Sequence, residues 1–133
     1  MAKIINLSES VLIALHSLVL MTKQAPRLLR AREIAEKTDA SENTIAKVMQ
    51  RLSKSRIIKS NRGPAGGFTL AKKPEEISLF QVYTIIEGTV EKTSCPFHGS
   101  SCMFGTCILG DLIPRMTDNF IEKLKNLTLA DYK

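Results

Sequence analysis

Apolar residues recur at helical spacing in five segments of the chain, separated by mostly polar positions. The first segment is apolar nearly all round, so we expect a helix at the centre of the core, capped by Ser8 or Ser10. Aromatic residues are few and Trp is absent, so packing must rest on aliphatic side chains. The pattern predicts a mainly helical protein with helices over residues 8–21, 31–37, 39–55, 79–88 and 114–127, and a connection at 22–29.

The segment 39–55 divides its apolar and polar positions between two faces. Its apolar residues fall at i, i+3, i+4 and i+7, the stripe that a helix buries: Ile45, Val48, Met49 and Leu52. Asp39 or Ser41 can cap its start. With the short helix before it, this segment forms a helix-turn-helix pattern, whose second helix lies in the major groove of DNA. The opposite face carries long polar donors: Asn43, Lys47, Gln50, Arg51 and Lys54.

A β-hairpin is predicted directly after this helix, with strands at 56–59 and 68–70. Three glycines and one proline in the turn give its backbone unusual freedom and leave little side-chain bulk. Arg62, at the base of the turn, suits the minor groove, although an ordinary hairpin loop is the alternative. The predicted DNA contacts are Ser41, Asn43, Thr44, Lys47, Gln50, Arg51, Lys54, Lys59, Arg62, Gly63 and Gly66.

The last predicted helix lies beyond the hairpin, and we expect its apolar face to pack against a second copy of the chain. That face comprises Met116, Phe120, Ile121, Leu124 and Leu127. The expected fold class is mainly α with a small β-hairpin wing, a winged helix-turn-helix with a long C-terminal dimerisation helix. We expect a DNA-binding domain at 1–88, a cysteine loop at 89–110, and the dimerisation helix with its tail at 111–133.

Positive charge is concentrated in one stretch of the 133 residues. The net charge is +6, and thirteen of the 19 Lys and Arg residues, but only four of the 13 Asp and Glu residues, lie between Lys23 and Lys73. Such a field favours a polyanionic partner such as double-stranded DNA, although a basic surface kept for solubility is the alternative. We expect a dimer of the chain to bind a palindromic operator. The apolar stretch 11–21 is too short to span a bilayer, and no targeting signal is found. We therefore expect a cytoplasmic protein with no membrane partner.

Three cysteines lie close together in the polar, glycine-containing stretch CPFHGSSCMFGTC. Cytoplasmic cysteines stay reduced, so this group indicates a metal or redox site instead of a disulfide framework, the alternative being three buried hydrophobic side chains. Six and then four residues separate Cys95, Cys102 and Cys107, which suits an iron–sulfur cluster with a weaker fourth ligand better than a four-ligand zinc site. Spacing leaves the fourth ligand open among His98, His16, Glu9 and Asp111, although we expect His16 to be a core histidine.

The hairpin and the segment after it resemble a known family. The stretch IKSNRGPAGGFTL at 58–70, followed by Pro74, Ile77, Leu79 and the pair Glu87-Gly88, is similar to a signature of the IscR/NsrR/CymR-type bacterial winged helix-turn-helix regulators. The resemblance runs over nearly the full chain, and the cysteines lie where cluster-bearing members have theirs. It implies a dimer with two DNA-binding heads and a cluster whose assembly, oxidation or loss changes DNA affinity.

The chain departs from the family pattern at the cysteine loop. Cluster-bearing members commonly space their cysteines nearer to five and five residues. Members of the IscR kind take a fourth ligand from a histidine three residues after the last cysteine, where this chain has Gly110. Members of the NsrR kind use an acidic residue near the N-terminus of the partner subunit, and Glu9 matches that place. The resemblance therefore favours Glu9 as the fourth ligand, with His98 as the second choice.

The leading hypothesis is a homodimeric DNA-binding transcriptional regulator that senses redox, nitric oxide or iron–sulfur status through a 2Fe–2S or 4Fe–4S cluster. One alternative keeps DNA binding but switches through oxidation of Cys102 and Cys107 to a disulfide. Another is an adaptor whose basic face docks an acidic protein. An enzyme is the least supported class, because no nucleophile with an adjacent base, phosphate-binding loop or paired carboxylates is found.

Overall fold

The computed structural model describes residues 7–90 and 103–133 and confirms a mainly helical winged fold with one small hairpin. Within these residues, no helix is both long enough and apolar enough to cross a membrane. The elements are, in chain order, α1 (Glu9–Gln24), α2 (Ala31–Thr38), α3 (Glu42–Lys54), β1 (Ile58–Asn61), β2 (Gly67–Leu70), a 3-10 turn (Pro74–Glu76), α4 (Leu79–Glu87), α5 (Leu112–Asn126) and a second 3-10 turn (Leu129–Tyr132).

Helix α1 is the central helix of the core, as its apolar composition predicts. Val11, Ala14 and Leu18 are fully buried, and the helix contacts α2, α3, α4 and the second 3-10 turn. Ser8 is its cap, because the Val11 backbone N–H donates to the Ser8 hydroxyl oxygen over 3.2 Å. The helix continues three residues past the predicted end, to Gln24.

One side of α1 is accessible, in contrast to the prediction of a wholly buried helix. Leu12 is 41% exposed, and His16, one turn later, is also exposed. The Nδ1 of His16 donates to the Leu12 carbonyl oxygen over 2.6 Å, so this ring is satisfied by its own helix at the surface. The expectation of a core histidine at position 16 is therefore wrong, because helical spacing turns this position away from the buried stripe.

Strand β1 begins two residues later than predicted, at Ile58, and β2 begins one residue earlier, at Gly67. Arg56 has a left-handed backbone with φ of 61°, and the Ile57 N–H donates to the Leu52 carbonyl over 3.0 Å. The chain is therefore still completing the end of α3 at positions where the β-branched composition predicts a strand. Strand pairing then runs antiparallel from the Ile58–Leu70 pair to the Asn61–Gly67 pair.

Helix α5 begins at Leu112 and packs its C-terminal half against its own chain. The Phe120 ring meets Tyr83 of α4 edge-on with 5.3 Å between centroids, and Ile121 is only 8% exposed. The sequence predicted that this half of the apolar face packs against a second copy of the chain, but it packs within the same chain. The N-terminal half does not, since Leu112 is 49% and Met116 39% exposed.

The C-terminal tail returns to the start of α4. The Leu79 N–H donates to the Leu127 carbonyl over 2.9 Å, and the Leu129 N–H donates to the Ile77 carbonyl over 3.0 Å. Leu129 is fully buried, and Lys133 forms an ion pair with Glu75. These contacts fix the C-terminal end of α5 to the body of the chain.

Candidate nucleic-acid interface

Helix α3 divides its two faces as the sequence predicts. Ile45 and Leu52 are fully buried against the core, and the rest of the apolar stripe is at most 2% exposed. Every member of the polar stripe is exposed, and its cations form no ion pair with an acid in the described part of the chain. The result is a rigid helix that presents uncompensated donors to solvent: Asn43, Lys47, Gln50, Arg51 and Lys54.

Two predicted DNA contacts, Ser41 and Thr44, form the start of α3. The Thr44 N–H donates to the Ser41 hydroxyl oxygen over 3.1 Å, and the two hydroxyl oxygens lie 2.8 Å apart. Asp39, the other candidate cap, instead ends α2 in a left-handed conformation with φ of 55°. The serine cap sets where α3 begins and which residues of its first turn face outward.

The hairpin turn is a tight structure that depends on its glycines. The Gly66 N–H donates to the Gly63 carbonyl over 2.9 Å, and Gly63 has a φ of +105°. A Cβ at Gly66 would lie 2.2 Å from the Asn61 carbonyl oxygen, so no other residue fits there without opening the turn. Lys59 and Arg62 are exposed beside this turn. We call β1, the turn and β2 together the wing.

The segment before α2 adds a third backbone strip to the wing, which the sequence did not indicate. The Leu29 N–H donates to the Phe68 carbonyl over 3.0 Å, and the Phe68 N–H donates back over 2.7 Å. The guanidinium of Arg30 donates to the Pro64 carbonyl at the wing turn. A Cβ at Gly67 would lie 2.7 Å from the Leu29 carbonyl oxygen, so a glycine permits this close approach.

A recess of about 550 Å³ separates the start of α2 from the wing turn, and three arginines line it: Arg27, Arg30 and Arg32. Glu33 lies among them, 2.9 Å from the Arg27 guanidinium and 2.9 Å from the Arg30 backbone nitrogen. The Arg30 N–H and then the Arg27 side chain hold the pKa of Glu33 below its usual range. Glu33 therefore stays ionised at neutral pH and caps α2. The density of arginine at 27–32 was the only sequence signal for this feature.

Arg30→Gln is expected to lower operator affinity roughly tenfold, because the wing turn loses the charged donor that holds Pro64. If Arg30 positions the wing, the salt dependence of binding stays unchanged, whereas a lost phosphate contact lowers the slope by about 1. Fluorescence anisotropy with a duplex selected from a random pool, at several salt concentrations, measures both quantities. Arg32→Gln is the matched control, since Arg32 is exposed and pairs with Glu36 of its own helix, at 3.4 Å, without contacting the wing turn by a hydrogen bond in the described residues. Equal losses in the two variants, or a shallower slope for Arg30→Gln, would contradict the positioning role.

The predicted metal ligands are only partly within the described residues. Cys107 is an exposed free thiol, Glu9 is the exposed first residue of α1, and Asp111 lies 3.8 Å from Arg115. Cys95, Cys102 and His98 fall outside the described residues. Among residues 7–90 and 103–133, no three His, Cys, Asp or Glu side chains come together as a metal site.

Comparison with known sequences places the chain among regulators. The family described as "Rrf2: Iron-dependent Transcriptional regulator" matches residues 7–132. The HTH-type regulator BadM of Rhodopseudomonas palustris is 33% identical over 84 residues, which cover 63% of this chain and 54% of BadM. The HTH-type regulator IscR of Pectobacterium atrosepticum is 30% identical over 74% of this chain and 60% of its own length. An HTH-type regulator of Aquifex aeolicus is 28% identical over 93% of this chain and 88% of its own length. The chain thus spans little more than half the length of two of these relatives.

Solved structures share the fold over most of the chain. T. potens IscR has a TM-score of 0.75 at 21% identity and covers 96% of this chain and 85% of its own. CymR of B. subtilis has a TM-score of 0.75 at 22% identity and covers 96% of this chain and 95% of its own. Because the family match extends over nearly every residue from α1 to the C-terminal tail, the protein belongs to the Rrf2 family of transcriptional regulators.

Proposed function

We propose that the protein is a homodimeric regulator that binds a palindromic operator through α3 and the wing, and that an iron–sulfur cluster controls its DNA affinity. The observation that carries the proposal is the division of α3 into a buried apolar face and an exposed face whose cations form no ion pair within residues 7–90 and 103–133. Major-groove recognition requires such a helix, because its donors must reach base edges and phosphates from a fixed scaffold.

The wing supplies the second part of the DNA contact. Arg62 and Lys59 are exposed on a turn whose backbone is held by Gly66 and by the Arg30 side chain. A small, stiff turn with a guanidinium beside it suits a narrow minor groove, where the negative potential is strongest. Gly63 is exposed and lets the turn backbone approach the duplex, whereas Gly66 is buried and contributes by closing the turn. The base-specific contacts stay with α3.

The dimer contact falls on the N-terminal part of α5 and the residues just before it. Large apolar side chains are exposed there: Met103, Phe104, Ile108, Leu109, Leu112 and Met116. Within the described residues no other region concentrates exposed apolar side chains in this way, and such a patch marks an interface. A two-fold axis through this surface would place two recognition helices on the half-sites of a palindrome.

The donor set fits an iron–sulfur cluster. Thiolates are the ligands of such clusters, and Cys95, Cys102 and Cys107 would hold the iron, with Glu9 from the partner subunit as the favoured fourth ligand and His98 as the second choice. Cys107 is exposed and free, and Glu9 forms no ion pair within the described residues, so both can accept a metal. The description of the family as iron-dependent supports this assignment. When bound, the cluster supplies a centre that oxidants, nitric oxide or iron loss can change.

A thiol switch is the second candidate. CymR of Staphylococcus aureus, 25% identical with a TM-score of 0.71, has been solved in an oxidized form. In this chain, an external oxidant such as a peroxide would join Cys102 to Cys107 as a disulfide, taking up the two thiol hydrogens. This candidate keeps the DNA interface unchanged and differs only in the sensor.

Anaerobic purification separates the two candidates. We expect a brown wild-type protein with matched iron and acid-labile sulfide, a dimeric mass by light scattering, and an operator affinity that changes when the cluster is removed. Cys107→Ala should lose the colour and the sulfide, whereas Thr106→Ala, the exposed neighbour, should keep both. Glu9→Ala tests the fourth ligand through faster cluster loss. A colourless protein after reconstitution, with a mass two hydrogens lower after peroxide treatment, would overturn the cluster in favour of the thiol switch.

A further inference from the structure

A groove of about 410 Å³ lies between α1, the end of α2, the start of α4 and the second 3-10 turn. Its walls are mainly aliphatic, formed by Leu15, Val19 and Leu20 of α1 together with Leu79 of α4. Tyr132 closes the side next to the C-terminal tail. A volume of this size and an apolar lining with a few polar groups are typical of sites for small organic molecules.

Two lysines lie at the apolar walls. Lys23 from the last turn of α1 and Lys37 from the last turn of α2 both line the groove. Neither forms an ion pair with an acid within residues 7–90 and 103–133. His16 also lines the groove, and because its Nδ1 is used by the Leu12 carbonyl, its Nε2 is available to a ligand.

A second recess of about 320 Å³ adjoins the groove and shares His16, Lys37 and Thr38 with it. Glu9 lines this second recess at the N-terminal end of α1. Lys37 therefore lines both recesses, whereas Glu9 lines only the second. A ligand with one negative group matches this distribution, whereas a second carboxylate would approach Glu9 and be repelled.

We propose that this groove binds an amphipathic monocarboxylate, an aliphatic or aromatic acid whose apolar body packs on α1 and whose carboxylate meets Lys23 and Lys37. The inference goes beyond the proposed function, since it gives the regulator a small-molecule input independent of iron. A second copy of the chain is the less suitable occupant, because two unpaired lysines border the groove and a larger apolar surface is available on α5.

The position of the groove offers a route to the DNA interface. Lys37 and Thr38 are the last residues of α2, and α3 begins four residues after Thr38. A ligand held between α1 and this end of α2 would make contacts whose strength depends on how the two helices are placed. Any such dependence couples ligand affinity to operator affinity by the same factor in both directions.

Calorimetric titration of the full chain with octanoate and with 4-phenylbutyrate tests the proposal directly. We expect saturable binding of at least one of the acids, with one site per chain. Octanamide, which keeps the apolar body and removes the charge, should bind octanoate's site about tenfold more weakly or not at all. No saturable binding of either acid at millimolar concentration, or equal affinity for octanoate and octanamide, would overturn the proposal.

Two variants locate the site. Lys23→Met with Lys37→Met should lower the affinity for the bound acid at least tenfold, whereas Lys72→Met with Lys73→Met, which removes the same charge from exposed positions, should leave it unchanged. Val19→Phe should fill the groove and abolish binding. Equal losses in both lysine pairs would overturn the assignment, and conversion of a dimer to a monomer by Val19→Phe, with no acid bound by the wild type, would assign the groove to a second copy. Operator affinity and iron content are measured in parallel, so failure here is distinguishable from failure of the proposed function.

Discussion

Replacing Lys47 and Arg51 together by alanine is expected to lower operator affinity on the order of a thousandfold at physiological salt. Both side chains are exposed on the polar face of α3, while their neighbours Val48 and Leu52 are buried. The variant therefore removes donors without touching the core, and the free energy of unfolding should change by less than about 0.5 kcal/mol. In a dimer each substitution acts at both half-sites, which multiplies the loss.

The salt dependence of this variant reports what the two side chains do. Each lost phosphate contact lowers the slope of log affinity against log salt by about 0.9, and a lost base contact lowers affinity without changing the slope. Anisotropy titrations between about 50 and 200 mM KCl distinguish these contributions. Lys123→Ala with Lys125→Ala removes the same charge from exposed positions in the C-terminal half of α5, outside the proposed dimer contact, and is the control. If both pairs lower affinity equally, the binding is governed by net charge and α3 is not the recognition helix.

Gly66→Ala is expected to disorder the wing and to lower operator affinity more than tenfold, because a Cβ there would lie 2.2 Å from the Asn61 carbonyl oxygen. The turn must open, which breaks the hydrogen bond from the Gly66 N–H to the Gly63 carbonyl. We expect local unfolding instead of global unfolding, because the core clusters around α1, away from this turn. Hydrogen exchange of the Phe68 amide, which is bonded to Leu29, should become markedly faster.

Gly63→Ala is the graded comparison for this prediction. Nothing lies within 4 Å of a Cβ at Gly63, so only its φ of +105° opposes the substitution. The cost should be about 1–2 kcal/mol of backbone strain, with the turn still closed and operator affinity reduced less than by Gly66→Ala. A Gly66→Ala protein with wild-type exchange at Phe68 would show that the turn does not need a glycine at this position, and the proposed geometry of the wing would be wrong.

Sequence patterns predicted the secondary-structure elements that are determined by residues close together in the chain. The apolar spacing in α3 determines both of its faces, and Ser41 was one of the two candidate caps because its hydrogen bond lies within one helical turn. The strand start was misplaced because Arg56 and Ile57 finish a helix end, which β-propensity does not register. His16 was predicted to lie in the core because its neighbours are apolar. Its side chain is instead exposed and bonded to the Leu12 carbonyl of the same helix, because position 16 lies outside the buried stripe of α1.

Contacts between distant segments were beyond sequence analysis. The pairing of Leu29 with Phe68 and the bond from Arg30 to Pro64 join positions more than thirty residues apart, with no local signature at either end. The return of Leu129 to Ile77 is equally non-local. The DNA-contacting residues remain a prediction, and the cysteine ligands also remain one, since Cys95 and Cys102 lie outside the described residues.

The return of the tail has a consequence for how sensors can be exchanged. Helix α5 is attached to the body at its C-terminal end, by Leu127 and Leu129, and again at Phe120. The register between α4 and α5 therefore does not depend on the segment that joins them. That segment can be lengthened, shortened or given different ligands while α4 and α5 keep their relative placement. The segment between α4 and α5 can therefore vary independently of the rest of the fold, so the same winged-helix fold can carry chemically different sensor segments at this position.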